Sequence, residues 1–419
     1  MLGAQGLVEA RPGVGTFVRA QPVVRPVDLG WQTAALSRQG GRTPSLPSAL
    51  VTADSDAIGL HSGFPQRELL PERLVRAAFT RATRSESLMG RPPTQGLPEL
   101  RSWFAAELDS VTPSGVTPAA PSDVVVTPGS QGGLLTTFRA LAGAGQPLVM
   151  ESPTYWGAIV AARLAGVRIV PVPSGPSGPD PEVFERALTE TGARACYAQP
   201  RFASPTGALW SAVRGDRILD AVRRAGAFLI EDDYARDFGI DAEAVPLAAR
   251  DDAGHVVYIR SLSKSVAPTV RVASIIARGP ARDRILADTQ ADSLYVSGTL
   301  QSVALDVVTQ PAWRSHVRGM GKQLGERRDL LLRALATHAP GITVESVPRG
   351  GLALWARLPD YANLAAVVDH CRREGLMIGA GDEWFPAEPT GKYVRLAYSG
   401  AQPSRFGDAA RILGAALAQ

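Results

Sequence analysis

YIRSLSKSVAPTVRVASIIA, residues 258–277, places Ser261, Ser263, Lys264 and Arg271 in one short segment between two apolar runs. The flanking runs, HVVYIRS and VASIIA, are apolar without strict alternation, the pattern of strands covered on both faces. Polar residues at strand ends are common, and a lysine there is ordinarily just solvated. A lysine flanked by hydroxyls, with an arginine seven residues on, also suits Schiff-base chemistry beside an anchored phosphate. Arg271 would grip phosphate oxygens as a bidentate pair that a lysine cannot mimic.

Working outward, short apolar runs alternate with helical stretches. DVVVTPG leads into SQGGLLTTFRALAG, PLVMESP into YWGAIVAARLAG, and VRIVPVP into DPEVFERALTETG. ACYAQP, AFLIEDD, HVVYIRS and VASIIA complete the series. Repeated strand–helix order predicts an α/β domain over residues 64–310, with a mostly parallel seven-stranded sheet between helices. Ligands in such sheets gather at the carboxyl ends of the strands. After residue 310 a long helical stretch and three short apolar runs predict a smaller α+β domain over 311–419. The first 60 residues are rich in Pro, Gly, Ser and Thr and read as an arm, and the chain shows no internal repeat.

Composition narrows the function classes. The 419 residues are 45% apolar and 20% charged, as expected of a globular protein, and the net charge of +4 forms no dense basic stripe of the kind nucleic-acid binders carry. Cys196 and Cys371 give neither a disulfide framework nor a zinc site. MLGAQGLVEARPG lacks the apolar stretch of a signal peptide, and no apolar run approaches a bilayer's thickness. The expectation is a cytoplasmic protein without membrane contact.

Four polar features fall at the ends of expected strands. TPGSQGGLL, residues 127–135, exposes backbone N–H groups at a helix start, where an anion is favoured, although such a turn is usually only tight. ESPTYWG, residues 151–157, offers Tyr155 or Trp156 as a flat surface, with core packing the commoner role. LIEDDYARDF, residues 229–238, puts three consecutive acids at a strand end. Metal binding is one explanation, although no histidine lies nearby; a single carboxylate paired with a cationic ring nitrogen is another. The fourth is the Lys264 segment itself.

Together these motifs resemble the fold-type I pyridoxal-phosphate enzymes, the class I/II aminotransferases. SLSKSVAPTVR resembles their Ser-x-Ser-Lys-x-x-x-Pro-x-x-Arg signature, and the likeness runs over about residues 60–419. It implies pyridoxal 5′-phosphate as cofactor, no metal, and a homodimer with sites at its interface. Lys264 is then the Schiff-base lysine, with Ser261, Ser263, Arg271, Ser130 and Gln131 around the phosphate. Tyr155 would stack on the ring, Asp232 would pair with its nitrogen, Tyr234 would sit near O3′, and Arg395 in YVRLAYSG would clamp a substrate carboxylate. The family's asparagine before PTG is replaced by Ser204, and Arg91 stands near the position where the family usually has a tyrosine that, in its dimers, crosses to the partner's phosphate. Ala273 stands where glycine commonly follows the arginine. Trp384, Phe385 and Trp156 could line a substrate pocket, with core packing the commoner role.

The implied activity is Cα deprotonation of an α-amino acid through an external aldimine, with transamination as the default outcome. Elimination or replacement at Cβ or Cγ is an alternative. A narrower resemblance lies in LGAQGLVEARPGVGTFVRA, which looks like the last helix and wing of a GntR-type winged helix. That domain precedes an aminotransferase-like domain in MocR-type regulators. Residues 1–22 are therefore expected to be a wing remnant, with 23–63 as arm or linker. The DNA-reading helix is absent from this stretch, so no nucleic-acid contact is expected through the chain as given. Effector sensing is the corresponding alternative function.

Overall fold

A computed structural model describes residues 6–19, 31–32, 47–54, 56–85 and 88–418. The chain divides into two units, Met1–Leu46 and Pro47–Gln419.

The described part of the first unit is an antiparallel hairpin of β1 (Val8–Arg11) and β2 (Gly15–Val18), in register Val8↔Val18 to Arg11↔Gly15. Gly13 turns the chain with φ +77°. Arg11 lies over the Phe17 ring at 5.4 Å. The ends of the expected wing remnant, residues 1–5 and 20–22, lie outside the described residues. So does most of the arm, 23–46 apart from Trp31 and Gln32.

The second unit begins earlier than the sequence pattern suggests. Residues 47–54 and 56–63, expected as arm, pack onto the small lobe: β3 (Ile58–Gly59) pairs in parallel with β14 (Leu376–Met377). Ser48 donates from its backbone and hydroxyl to the Glu383 carboxylate. A two-residue strand carries too little periodicity to be seen in sequence.

The main sheet contains all seven expected strands. They are β4 (Val124–Thr127), β5 (Pro147–Ser152), β6 (Arg168–Gly175), β8 (Ala195–Ala198), β9 (Phe228–Asp233), β10 (Val256–Ser261) and β11 (Ala273–Ile276). An eighth, β7 (Gly178–Pro179), corrects the expected number: it is a two-residue edge strand folded back on β6 across a Gly/Pro/Ser turn. The order is β4-β11-β10-β9-β8-β5-β6-β7. Strands β6, β5, β8, β9 and β10 run parallel, whereas β11 is antiparallel to both β10 and β4. The chain passes outward from β5 to β6 and then returns to place β8 on the other side of β5. That reversal opens a crevice at the carboxyl ends of β5 and β8.

Alternation along the strands feeds two apolar layers. Leu148, Met150, Tyr197 and Ile230 pack with Leu134, Phe138 and Ile159 from helices Gly129–Leu141 and Trp156–Leu164. Val149, Cys196, Ala198 and Leu229 face the opposite layer, against Phe184, Leu188 and Ile218 from helices Pro181–Thr191 and Ala212–Arg224. Both cysteines are buried and free.

The helix Pro311–His338 leads into the small lobe, whose four-stranded antiparallel sheet is ordered β12 (Thr343–Val344), β13 (Leu354–Arg357), β16 (Tyr393–Leu396), β15 (Gly379–Ala380). Helices Leu364–Arg373 and Phe406–Leu417 complete it. Among the described residues, no helix is long and apolar enough to cross a membrane.

One buried acid ties the parallel strands together. Glu151 on β5 accepts hydrogen bonds from Ser174 Oγ at 2.8 Å and from the Gln199 amide at 3.0 Å. Burial pushes its carboxyl up to about 7, against those hydrogen bonds. A raised acid pKa favours the folded state fully below the unfolded value of 4.5, and that contribution is lost as pH rises through 7. Glu151→Gln is therefore expected to gain stability relative to the parent between pH 5 and pH 8, by at most about 3 kcal/mol. Urea unfolding at both pH values checks this; a difference between the two proteins that does not change with pH would contradict it.

Candidate active site

The carboxyl edge of the sheet collects the polar residues. Asp232 is the penultimate residue of β9, Ser261 ends β10, Gln199 follows β8 and Tyr155 follows β5. Because β11 is antiparallel, its start lies at the same edge, which brings Arg271 beside the turn after β4.

The three consecutive acids are sorted by strand alternation. Glu231 accepts the backbone N–H groups of Leu247 and Ala248 at 3.1 and 2.9 Å. Asp233 pairs with Arg201 and accepts the Tyr258 hydroxyl. Asp232 faces the other way: its Oδ2 accepts from Tyr197 at 2.9 Å and Gln199 at 2.8 Å. Its Oδ1 is buried without a hydrogen-bond partner. Burial raises the Asp232 pKa, opposed by the Tyr197 and Gln199 hydrogen bonds and by the Lys264 charge.

Lys264 is the half-buried member of the chain's three lysines; Lys322 and Lys392 sit elsewhere, paired with Glu326 and the Asp360 carbonyl. Its Nζ lies 4.3 Å from the Tyr234 ring centre and 5.5 Å from that of Tyr155. Burial lowers its pKa to about 8; Asp232 raises it, while the Arg395 and Arg271 charges lower it further.

On one side is an anion cradle. Gly129 has φ +79°, and a Cβ there would meet the Arg271 guanidinium at 2.7–2.9 Å. Arg271 itself has φ +48° and donates to the Pro128 carbonyl at 3.1 Å. A left-handed backbone on a non-glycine residue costs roughly 1–3 kcal/mol and persists only where the surroundings impose it. Ser130 and Gln131 occupy the first turn of the helix that begins here. Gln131 donates to the Gly157 carbonyl at 2.7 Å and accepts the Tyr155 hydroxyl at 3.3 Å. Ser261 Oγ accepts the Ser263 amide at 3.2 Å, and the buried Ser263 hydroxyl has no partner.

On the other side stands Arg395, 5% exposed, donating to the Ser62 carbonyl at 3.1 Å and lying 5.8 Å from the Trp384 ring centre. It has no carboxylate partner among the described residues. Burial lowers its pKa, and the phenols of Tyr234, Tyr398 and Tyr155 oppose that. Trp384 and Phe385 pack with Trp355 and Tyr393 in a buried aromatic group that Trp156 abuts, so packing describes all three sequence candidates.

The Tyr234 hydroxyl donates to the Phe202 carbonyl at 2.8 Å, leaving its ring to face Lys264. Arg91 is exposed on the loop before Pro98. Ser204 meets the group through its backbone, donating to Gln199 Oε1 at 2.8 Å. Tyr197 and Gln199 escaped the sequence analysis because ACYAQP reads as an apolar strand, and nothing in it marks two side chains turned onto one carboxylate.

These residues fit pyridoxal 5′-phosphate. The open Asp232 Oδ1 awaits a cationic donor, and Arg271, the helix start and Ser263 offer donors to a phosphate. A family model described as aminotransferase class I and II matches residues 55–388. The 2-aminoadipate transaminase of Thermus thermophilus is 28% identical over 88% of this chain and 91% of its own length. An uncharacterized HTH-type transcriptional regulator of Bacillus subtilis, YdfD, is 27% identical over 95% of this chain and 83% of its own length. The "Probable rhizopine catabolism regulatory protein MocR" of Rhizobium meliloti is 26% identical over 96% and 81%. The crystal structure of Thermus thermophilus LysN, an α-aminoadipate aminotransferase complexed with N-(5′-phosphopyridoxyl)-L-leucine, superimposes with a TM-score of 0.81 at 26% identity, over 93% of this chain and 98% of that one. The chain belongs to the class I and II aminotransferase family, as a fold-type I, pyridoxal 5′-phosphate-dependent, aminotransferase-like enzyme.

Proposed function

We propose that the chain removes the amino group of an α-amino acid whose carboxylate is held by Arg395, with Lys264 carrying the proton. The observation behind this is the buried Arg395 guanidinium, which has no acid partner among the described residues and acts electrostatically on Lys264. A buried cation left unpaired is costly, and a substrate carboxylate relieves that cost. Bound pyridoxal phosphate supplies a conjugated cationic ring that draws electrons from the substrate Cα–H bond. Asp232 Oδ1 would hold the ring nitrogen protonated, and Tyr155 would cover one ring face. Arg271, with Ser261, Ser263, Ser130 and Gln131, would hold the phosphate. With a pKa near 8, the Lys264 amine keeps a neutral fraction whose Nζ can accept the proton from the substrate Cα. The exposed Arg91 is available to a second copy of the chain, which supports a homodimer.

The Thermus enzyme acts on 2-aminoadipate, and a further relative at 24% identity is an aromatic-amino-acid aminotransferase. Such substrates share only the amino and carboxylate groups, so the reading extends to α-amino acids as a class. A second reading follows from the two regulators that align with 95% and 96% of this chain. In that case the same residues would bind an amino acid as a signal without releasing product.

Mixing the cofactor-loaded protein with single amino acids separates the two readings. Stoichiometric keto acid with conversion of the cofactor to its pyridoxamine form is expected; ligand-selective spectral change without keto acid would favour sensing. Lys264→Ala is expected to abolish the absorbance of lysine-bound cofactor, and an unchanged band would refute the site. Gly129→Ala is expected to displace Arg271 and weaken cofactor binding by about 10–100-fold, the value of one charge-assisted hydrogen bond. Unaltered affinity in a cofactor titration would place the phosphate elsewhere.

A further inference from the structure

Gln199 sits where the Asp232 carboxylate meets the Ser204 loop, and it is 1% exposed. Its Nε2 donates to Asp232 Oδ2 at 2.8 Å, while its Oε1 accepts the Ser204 N–H at 2.8 Å. The orientation of the amide is set by its partners: flipping it would put oxygen against carboxylate and N–H against N–H. Its own backbone N–H is held by Glu151 at 3.0 Å, so the residue is fixed at both ends.

We propose that Gln199 is a positioning residue for Asp232, keeping Oδ2 engaged so that Oδ1 alone meets the cofactor ring and the shared proton stays on the ring nitrogen. The inference rests on the pairing of Asp232 with the cofactor ring proposed above. Asp232 is 2% exposed, and such burial alone drives a carboxylate to hold its proton. Donors to the charged form oppose that, and Oδ2 has two: the Tyr197 hydroxyl and the Gln199 amide. With Oδ2 engaged by both, the unpartnered Oδ1 has one orientation. Ser204 stands where the family has an amide side chain. In this chain an amide reaches the same corner from the end of β8, bridging the loop backbone to the carboxylate.

The test compares cofactor-loaded parent, Gln199→Met and Gln199→Asn. Methionine matches glutamine in length without its donor. Asparagine keeps a buried amide but is one methylene too short to touch both partners, and it carries the test if the methionine variant fails to fold. Without the donor, Asp232 retains more of the shared proton and the ring withdraws fewer electrons from the lysine-bound nitrogen. The pH midpoint of the lysine-bound cofactor's absorbance is therefore expected to rise by about half a unit or more in the variants. Thermal melting and cofactor titration run alongside. A lowered melting temperature or weakened cofactor binding with an unmoved midpoint would overturn the proposal, since a purely structural role predicts that pattern. A parent protein with no lysine-bound band at all would overturn this inference together with the ring pairing beneath it. That result is separable because it shows in the parent before any variant is compared.

Discussion

A carboxylate buried at the end of a parallel strand is the constraint around which this molecule is arranged. Removing such a group from water costs several kcal/mol unless its lone pairs are met, so every neighbour of Asp232 is under selection by electrostatics as well as by shape. One oxygen is saturated by Tyr197 and Gln199, and the other has no hydrogen-bond partner, while the charge of the half-buried Lys264 acts on the carboxylate. The sheet makes this possible. Five parallel strands deliver their carboxyl ends to one edge, and the reversal between β5 and β8 opens room there. An antiparallel β11 then returns Arg271 to the same edge.

The two arginines flanking that carboxylate are built differently because they meet different groups. Arg271 is exposed, strained into a left-handed backbone, and laid flat on a glycine that leaves no room for a side chain. A cation so placed faces an open, solvent-bordered cradle suited to a phosphate. Arg395 is buried and extends from the middle of a small-lobe strand, β16, onto the carbonyls of residues 61 and 62. It therefore joins the stretch after β3 to the cleft, which explains why residues 47–54 and 56–63 behave as part of the folded body rather than as an arm.

Much of this was legible in the sequence. The seven long strands were, because each is an apolar run bounded by turn residues, and so was the lysine–arginine spacing. Asp232 was distinguishable only as one of three adjacent acids; strand alternation, a property of the folded chain, decides which one faces the lysine. The two-residue strands β3, β7 and the pair at 376–380 left no periodic trace. Tyr197 and Gln199 were invisible because their importance comes from where β8 and β9 lie side by side. The bond from the Tyr234 hydroxyl to the Phe202 carbonyl, on a residue with φ +49°, was invisible for a similar reason.

Lys264, on which the Asp232 charge acts, is the residue expected to carry the cofactor. Borohydride reduction of the loaded protein followed by peptide mass spectrometry tests this directly, because the chain has only Lys264, Lys322 and Lys392 to choose among. A phosphopyridoxyl group is expected on the Lys264 peptide at one equivalent per chain. Label on Lys322 or Lys392, or none at all from a protein that has bound the cofactor, would contradict this assignment.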